Sequence, residues 1–334
     1  MLVPDKLTST WKLNQPYFPS DALSKSILLR TSTSAEKETN PIEMERSSVV
    51  TPELLRHMWQ KQMPWDEKEP IHPPAILQQF FGSDGQQSKI AWPALKALSK
   101  EGPDAVPDVM GYLPAPDSTD FPELAFGMHI LLDQRPRALF ADIDRRWVSW
   151  FDKVARKFFG ALQNLPAHLR PWSRERWADA SFEYWLLITW WHHSVLVHSE
   201  SVHDHELAAA KIEELRLAVE ELTGKRDPTR DEKELRSDIY AFPRIISSLD
   251  LGSRKTLDEV AFCLFMIFDI HKPIIDKFRR YPYRNAIEGR ESSEEELGWV
   301  NKTDHFGEAS LEVARKVKED VAAGRWTPLG AGEK

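Results

Sequence analysis

The sequence contains a single cysteine, few glycines and no long apolar run. Cys263 is the only cysteine among 334 residues, so an internal disulfide is excluded and a reducing, cytoplasmic setting is expected. The apolar runs at 185–191 and 260–268 are shorter than the ~20 residues that a membrane-spanning helix needs. The N-terminus lacks the apolar stretch of a secretory signal. We therefore expect a protein that neither crosses nor contacts a membrane.

Basic runs and the common cofactor motifs are also missing. The chain carries 44 Lys and Arg against 52 Asp and Glu, a net charge of −8, and no basic stripe follows a phosphate backbone. Neither of the phosphate-binding loops GxGxxG and GxxxxGK[ST] occurs, nor the zinc-protease motif HExxH or the hydrolase motif GxSxG. These absences argue against a nucleic-acid partner, and any enzyme here is expected to need no cofactor.

Apolar residues at helical spacing occupy most of the chain, and no strand alternation is persuasive. We predict an all-α fold, either a helical bundle or a tetratricopeptide-like array of helix pairs. Residues 260–268 are apolar on all sides, which predicts a buried central helix over about 259–278. Further helices are predicted over 51–63, 122–133, 174–199, 205–222 and 235–249. Pro136 is expected to interrupt the second of these.

The composition divides the chain into two parts. Residues 1–50 are rich in Ser, Thr, Pro and charge, which is typical of disordered segments. We interpret them as an N-terminal arm that either lies across the body or reaches a second subunit in a homodimer. Residues 51–334 are interpreted as a single helical domain.

Three separated segments resemble one family. ILLDQRPRALF at 130–140, VLVHSES at 195–201 and FRRYPYRNAIEGRESSEEE at 278–296 resemble the family called domain of unknown function 924, over about 121–300. The resemblance implies an all-helical, tetratricopeptide-like fold and assigns no activity. It carries the family's motif residues onto Asp133, Gln134, Arg137, His198, Ser199, Glu200, Phe278, Arg280, Pro282, Arg284, Asn285, Gly289 and Arg290. Arg279 stands where the family usually has glycine and Tyr283 where it usually has histidine, which suggests a divergent branch.

The histidine-rich stretch at 192–205 invites a metal site. At ~100° per residue on a helix, however, its possible ligand pairs fall on three different faces. No metal site is predicted. In the purely structural interpretation, His198 and Glu200 are hydrogen-bonded groups that support the fold.

Acids and arginines recur in segments that otherwise look buried. One interpretation is a salt-bridge network that joins helices, because the planar fork of Arg pairs well with carboxylates. The other is that some of these arginines hold a ligand, with the pKa of Asp269 or His271 shifted by burial. Both interpretations concern Asp133, Arg137, Glu200, Asp269, Arg280, Arg284 and Arg290.

Abundant aromatic residues next to this polar cluster favour a cofactor-independent isomerase or cyclase. Its expected partner is a largely apolar small molecule in an aromatic-lined pocket, as in secondary metabolism. The alternative is a helical scaffold or binding module for a peptide or protein. The candidate catalytic residues are Asp269, His271 and Tyr283. The candidate substrate-binding residues are Asp133, Arg137, Trp147, Trp150, His198, Glu200, Arg280 and Arg284.

Overall fold

The structure, a computed structural model, describes residues 46–81, 88–250 and 252–331. Within these ranges the chain forms thirteen α-helices and no strand, which confirms the all-α prediction. The helices are α1 (Pro52–Gln62), α2 (Pro73–Phe81), α3 (Ser88–Ser99), α4 (Phe121–His129), α5 (Arg135–Leu139), α6 (Arg146–Gln163), α7 (Phe182–His198), α8 (Val202–Thr223), α9 (Ala241–Ser247), α10 (Leu257–Phe278), α11 (Asn285–Glu288), α12 (Glu294–Lys302) and α13 (Leu311–Ala322). Residues 1–45 of the predicted arm lie outside the described ranges, so the division into an arm and a single domain stays a prediction.

Local sequence signals set several helix boundaries. Thr51 caps α1 by accepting the Leu54 N–H at 3.3 Å, with Pro52 in the first turn as expected. Reciprocal capping boxes begin α10 and α12. Helix α8 ends at Gly224, whose φ of +68° is the left-handed conformation that glycine adopts without strain.

Two predicted helices are shorter in the structure. Residues 174–181 form a 3-10 turn and a bend before α7 begins at Phe182, because Arg174 bonds the carbonyls of Trp177 and Ala180. The predicted helix over 235–249 is reduced to α9. The Asp238 side chain accepts the Tyr240 N–H at 2.8 Å and closes a turn where the helix was expected to continue.

The regular α-helix is disturbed before Pro136, as predicted, but the helical path does not end there. Between α4 and α5, residues Ile130–Gln134 form a π turn, and the Arg135 N–H reaches back five residues to the Ile130 carbonyl. The wider turn carries the helical path through the position where proline has no N–H to donate.

Two helices form the centre of the core. In α10 most residues from Val260 to Ile275 are buried, as predicted. Helix α7 is buried at least as completely, since every residue from Leu186 to Val197 lies in the interior. The sequence predicted a buried central helix at α10 and made no such prediction for α7. Trp147 and Trp150 of α6 also face the core.

Close packing between sequentially distant helices fixes the frame of the site. A Cβ on Gly127 of α4 would lie 1.9 Å from the Leu55 carbonyl oxygen of α1, so only glycine permits this approach. Helices α7 and α8, joined by three residues, pack on each other, and both contact α10. None of the described helices is long and apolar enough to cross a membrane.

Candidate functional site

A polar cleft opens where α6, the α7–α8 connection and the segment at 284–290 meet. Its volume is about 410 Å³, within the range of small-molecule sites. We call it the acid–base cleft. It is lined by Ser149, Asp152, Lys153, Arg156, His198, Ser199, Glu200, Arg284, Glu288 and Arg290.

Behind the cleft lies Asp133, which is fully buried. The π turn places its carboxylate against α7, where it accepts hydrogen bonds from Ser194 Oγ at 3.0 Å and from the Gln134 side chain. Burial opposes ionisation of this carboxyl, but the attraction and hydrogen bond of His198, aided by Arg137, outweigh burial and hold the pKa of Asp133 far below its usual range. Asp133 is therefore a fixed negative charge.

The last residue of α7, His198, connects Asp133 to the cleft. Its Nδ1 lies 2.7 Å from Asp133 Oδ1, and because an ionised carboxylate can only accept, the proton lies on Nδ1. Its Nε2 has no hydrogen-bond partner among the described residues, and the ring lines the cleft. Asp133 and His198 thus form a carboxylate–imidazole dyad whose second nitrogen is free to take a proton.

Arginines hold the opposite wall together around Asp152. Arg137 donates to Asp152 Oδ1, and Arg284 Nη1 donates to Asp152 Oδ2 at 3.2 Å and to the His198 carbonyl at 3.0 Å. The Arg284 guanidinium also lies 4.7 Å from the centre of the Tyr281 ring. These contacts fix the end of α7, and therefore His198, against α6.

Two glutamates of the cleft have opposite pKa shifts. Burial acts against ionisation of Glu200, but a bidentate pair with Arg290 at 2.6 and 3.0 Å and the Tyr281 N–H outweigh it and lower its pKa. Burial raises the pKa of Glu288, and the nearby Arg290 and Arg284 only partly oppose this. The Ser149 hydroxyl contacts the Glu288 carboxyl. Glu200 is therefore held ionised, whereas Glu288 retains its proton to higher pH than an ordinary glutamate.

A smaller pocket of about 140 Å³ adjoins the acid–base cleft and shares Ser149 and Arg284 with it. We call it the arginine pocket. It is lined by Arg137, Phe140, Arg145, Val148, Ser149, Tyr283, Arg284, Ile287 and Gly307. Tyr283, at the position where the family usually has histidine, packs closely over Gly307, where an added Cβ would lie 3.1 Å from its ring.

Two of the predicted catalytic residues lie elsewhere. Asp269 Oδ2 accepts Arg216 Nη2 at 2.7 Å and Arg236 Nη2 at 3.0 Å, and Asp269 lines neither the cleft nor the arginine pocket. His271 is buried against Phe242, with its Nδ1 2.5 Å from the Ile267 carbonyl, and burial holds its pKa well below the usual value. The structure gives both side chains structural partners.

Three predicted substrate-binding residues also lie outside the cleft. The indole N–H groups of Trp147 and Trp150 donate to the carbonyls of Thr327 and Ala105, and both rings are core residues. Arg280 forms a bidentate pair with Glu296 at the start of α12. The structure does bring together Asp133, Arg137, His198, Glu200, Tyr283 and Arg284.

Several residues of the site were missed by the sequence analysis, although a signal for them exists. Arg145, Ser149, Asp152 and Arg156 follow one another at steps of four, three and four residues. This spacing makes one polar stripe along α6, the helix that also carries the predicted Trp147 and Trp150. Glu288 lies four residues after Arg284, on the same side of a short helical segment.

No group of three or more His, Cys, Asp or Glu side chains is arranged to hold a metal ion in the part of the chain that the structure describes. His193, for example, bonds the Thr189 carbonyl at 2.7 Å, and His205 bonds the Ser199 carbonyl at 3.0 Å. His193 and His205 therefore have separate structural partners.

Comparison with known proteins identifies a family and nothing narrower. No curated protein and no solved structure matches this chain. The model of a family described as bacterial proteins of unknown function, DUF924, matches residues 111–304. The match covers every residue of the Asp133–His198 dyad, the acid–base cleft and the arginine pocket except Gly307. The chain therefore belongs to the DUF924 family.

Proposed function

We propose that the acid–base cleft is the active site of a cofactor-independent enzyme that moves a proton on a small molecule. The observation that carries this proposal is the Asp133–His198 dyad, whose free imidazole nitrogen belongs to a cleft that also contains a carboxyl with a raised pKa. The assigned roles are general base for His198 and general acid for Glu288.

The dyad has the arrangement that general-base catalysis requires. A buried carboxylate that accepts the Nδ1 proton fixes the imidazole tautomer and stabilises the imidazolium that forms when Nε2 takes a proton. Ser194 and Gln134 donate hydrogen bonds to Asp133 Oδ2, and His198 donates to Asp133 Oδ1. Asp133 is thus a positioning residue, and His198 is the group that touches the substrate.

Glu288 supports the proposal because its pKa is shifted opposite to that of Glu200. Two carboxyls whose environments separate their pKa values often divide the acid and charge-stabilising roles at an active site. His198 would remove a proton from one atom of the substrate and Glu288 would deliver one to another. This exchange isomerises the substrate, or closes a ring, without oxidation or reduction.

The cleft favours a different substrate from the one expected from the sequence. Its lining is mainly charged and hydroxyl-bearing, and the aromatic Trp147 and Trp150 lie in the core. We therefore propose a polar small molecule in place of a largely apolar one. A cytoplasmic location and a role in secondary metabolism are compatible with the proposal and rest on the sequence alone.

The test is proton exchange in heavy water. Purified protein is incubated in D2O, with a chelator and without nucleotide, with the small molecules extracted from its host. Mass spectrometry should show compounds that gain one mass unit or convert to isomers of equal mass. His198→Asn and Glu288→Gln should each lower the rate about 10²–10⁴-fold, while Glu221→Gln, on the exposed face of α8, should not.

Three outcomes contradict the proposal. One is exchange at an undiminished rate in His198→Asn, and another is turnover that depends on an added nicotinamide, flavin or metal. The third is tight capture of a peptide or protein in the cleft with no exchange in any extract, which favours the scaffold alternative.

A further inference from the structure

The arginine pocket has more positive charge than its surroundings neutralise. Three guanidinium groups line it, those of Arg137, Arg145 and Arg284, and none of the carboxylates that the structure describes does. Arg137 and Arg284 share the single carboxylate of Asp152. Arg137 also lies 3.6 Å from Asp133, whose charge His198 already engages.

Arg145 is the least neutralised of the three. It donates to the Gly307 carbonyl at 2.9 Å and has no carboxylate partner among the described residues. A guanidinium carries five N–H donors in a planar fork, so one backbone contact leaves most of them available. The pocket therefore presents unused donors next to uncompensated charge.

Tyr283 adds a neutral donor to the same pocket. Its ring is held between Gly307 and the rings of Tyr281 and Phe306, and its hydroxyl has no hydrogen-bond partner in the described part of the chain. Since the ring position is fixed by packing, the hydroxyl is positioned before any ligand arrives. This gives a specific use to the tyrosine at the position where the family usually has histidine.

We propose that the arginine pocket binds an anionic group, a carboxylate or a phosphate, of the molecule whose reacting atoms lie in the acid–base cleft. The pocket volume of about 140 Å³ is below the ~300 Å³ of a complete ligand site, so it suits one end of a molecule. Charge-assisted, bidentate hydrogen bonds from Arg are the usual means of holding such groups. The shared residues Ser149 and Arg284 connect the two spaces. The identity of the bound molecule as a substrate rests on the proposed function, whereas anion binding itself does not.

The test is direct titration of the full chain with inorganic phosphate and, separately, with acetate, at low ionic strength and pH 7. Calorimetry should show one saturable site. Arg145→Gln should weaken binding of the preferred anion about tenfold, and Tyr283→Phe should weaken it less. Arg145→Lys, which keeps the charge, should retain more affinity than Arg145→Gln. Arg244→Gln, at an exposed arginine paired with Asp238, is the matched control and should bind as the unaltered protein does.

Tighter binding of phosphate would indicate a phosphorylated substrate, and tighter binding of acetate a carboxylic acid. Affinities that change in neither Arg145→Gln nor Tyr283→Phe, or the absence of a saturable site in the unaltered protein, would overturn the proposal. Tyr283→Phe keeps the ring packing, so it provides a test even if Arg145→Gln does not fold. The two proposals fail separately, because His198→Asn should lower the rate of proton exchange and leave anion affinity unchanged.

Discussion

At the scale of single residues, Arg279 is the clearest departure from an unstrained backbone. It follows the last turn of α10 with a φ of +60°, the left-handed conformation that costs a residue with a Cβ roughly 1 kcal/mol or more. The resemblance places a glycine at this position in the family, and the observed φ gives the physical reason. The Arg279 side chain is exposed and has no described partner that would offset the strain.

Arg279→Gly should therefore raise the free energy of unfolding by about 0.5–1 kcal/mol, because the relief of strain exceeds the added flexibility of the unfolded chain. Urea denaturation measures the change. Arg315→Gly, at an exposed position inside α13, should have the opposite sign and cost about 1 kcal/mol. A less stable Arg279→Gly protein would contradict this account.

The structure brings together six of the residues that the sequence singled out, and the roles given to them stay predictions. Asp133 and His198 were identified through a motif, but their hydrogen bond joins residues 65 positions apart, which no local pattern encodes. Asp269 and His271 were given catalytic roles because they sit in an apolar helix. The arginine partners of Asp269, Arg216 and Arg236, are 53 and 33 residues away in sequence, so this pairing could not be predicted from the residues around Asp269.

At the scale of helices, Arg216 joins α8 to α10. It is almost fully buried and pairs with Asp269 and with Asp227 of the following loop. Burial raises the pKa of Asp269, and the attraction of Arg216 and Arg236 only partly opposes this shift. The two arginines therefore stabilise the ionised carboxylate by less than burial destabilises it. Such a pair adds little net stability, yet removing one member leaves the other charge buried and uncompensated.

Asp269→Asn should consequently destabilise the protein by about 3 kcal/mol while leaving proton exchange in the cleft unchanged. Asp276→Asn, on the same helix, removes an exposed pair with Lys272 and should cost less than about 1 kcal/mol. Denaturation and the D2O assay on the same preparations give both readouts. Loss of exchange in a fully stable Asp269→Asn protein would return Asp269 to the catalytic role expected from the sequence.

Helix existence was predicted better than helix extent. The caps at Thr51 and Gly224 are local, so these helix boundaries could be predicted from the sequence. At 174–181 the Arg174 side chain bonds the carbonyls of Trp177 and Ala180, a local arrangement that hydrophobic periodicity does not reveal. The burial of His192 and His193 in α7 depends on neighbouring helices, so it could not be predicted from the sequence of α7 alone.

At the scale of the whole molecule, buried neutral histidines make stability depend on pH. Burial lowers the pKa of His129 and His205 to about 4 and that of His193 to about 3, and the pKa values of His192 and His271 also lie well below 6.5. Between pH 6.5 and about 4 the unfolded chain therefore binds more protons than the folded one. Stability should fall with decreasing pH across this window, by up to about 1.4 kcal/mol per pH unit for each such histidine.

Urea denaturation at several values between pH 7.5 and 4.5 measures this slope. His271→Gln should reduce the change in the free energy of unfolding per pH unit by the contribution of one histidine. His168→Gln, at an exposed position, should not change it. Glu288 and Asp269, whose pKa values are raised, act in the opposite direction but are fewer. Stability that stays constant down to pH 4.5 would show that the buried rings are protonated in the folded protein.

The π turn at Ile130–Gln134 makes the site sensitive to chain length as well as to side-chain identity. The turn accommodates one residue more than an α-helical turn, and each residue advances a helix by about 100°. Deleting one residue between Gly127 and Asp133 would restore a regular helix and rotate Asp133 away from His198, although every side chain of the dyad would still be present. A relative that lacks one residue here would keep the motif letters and lose the charged partner of the imidazole, so gaps in an alignment at this turn carry as much functional information as substitutions.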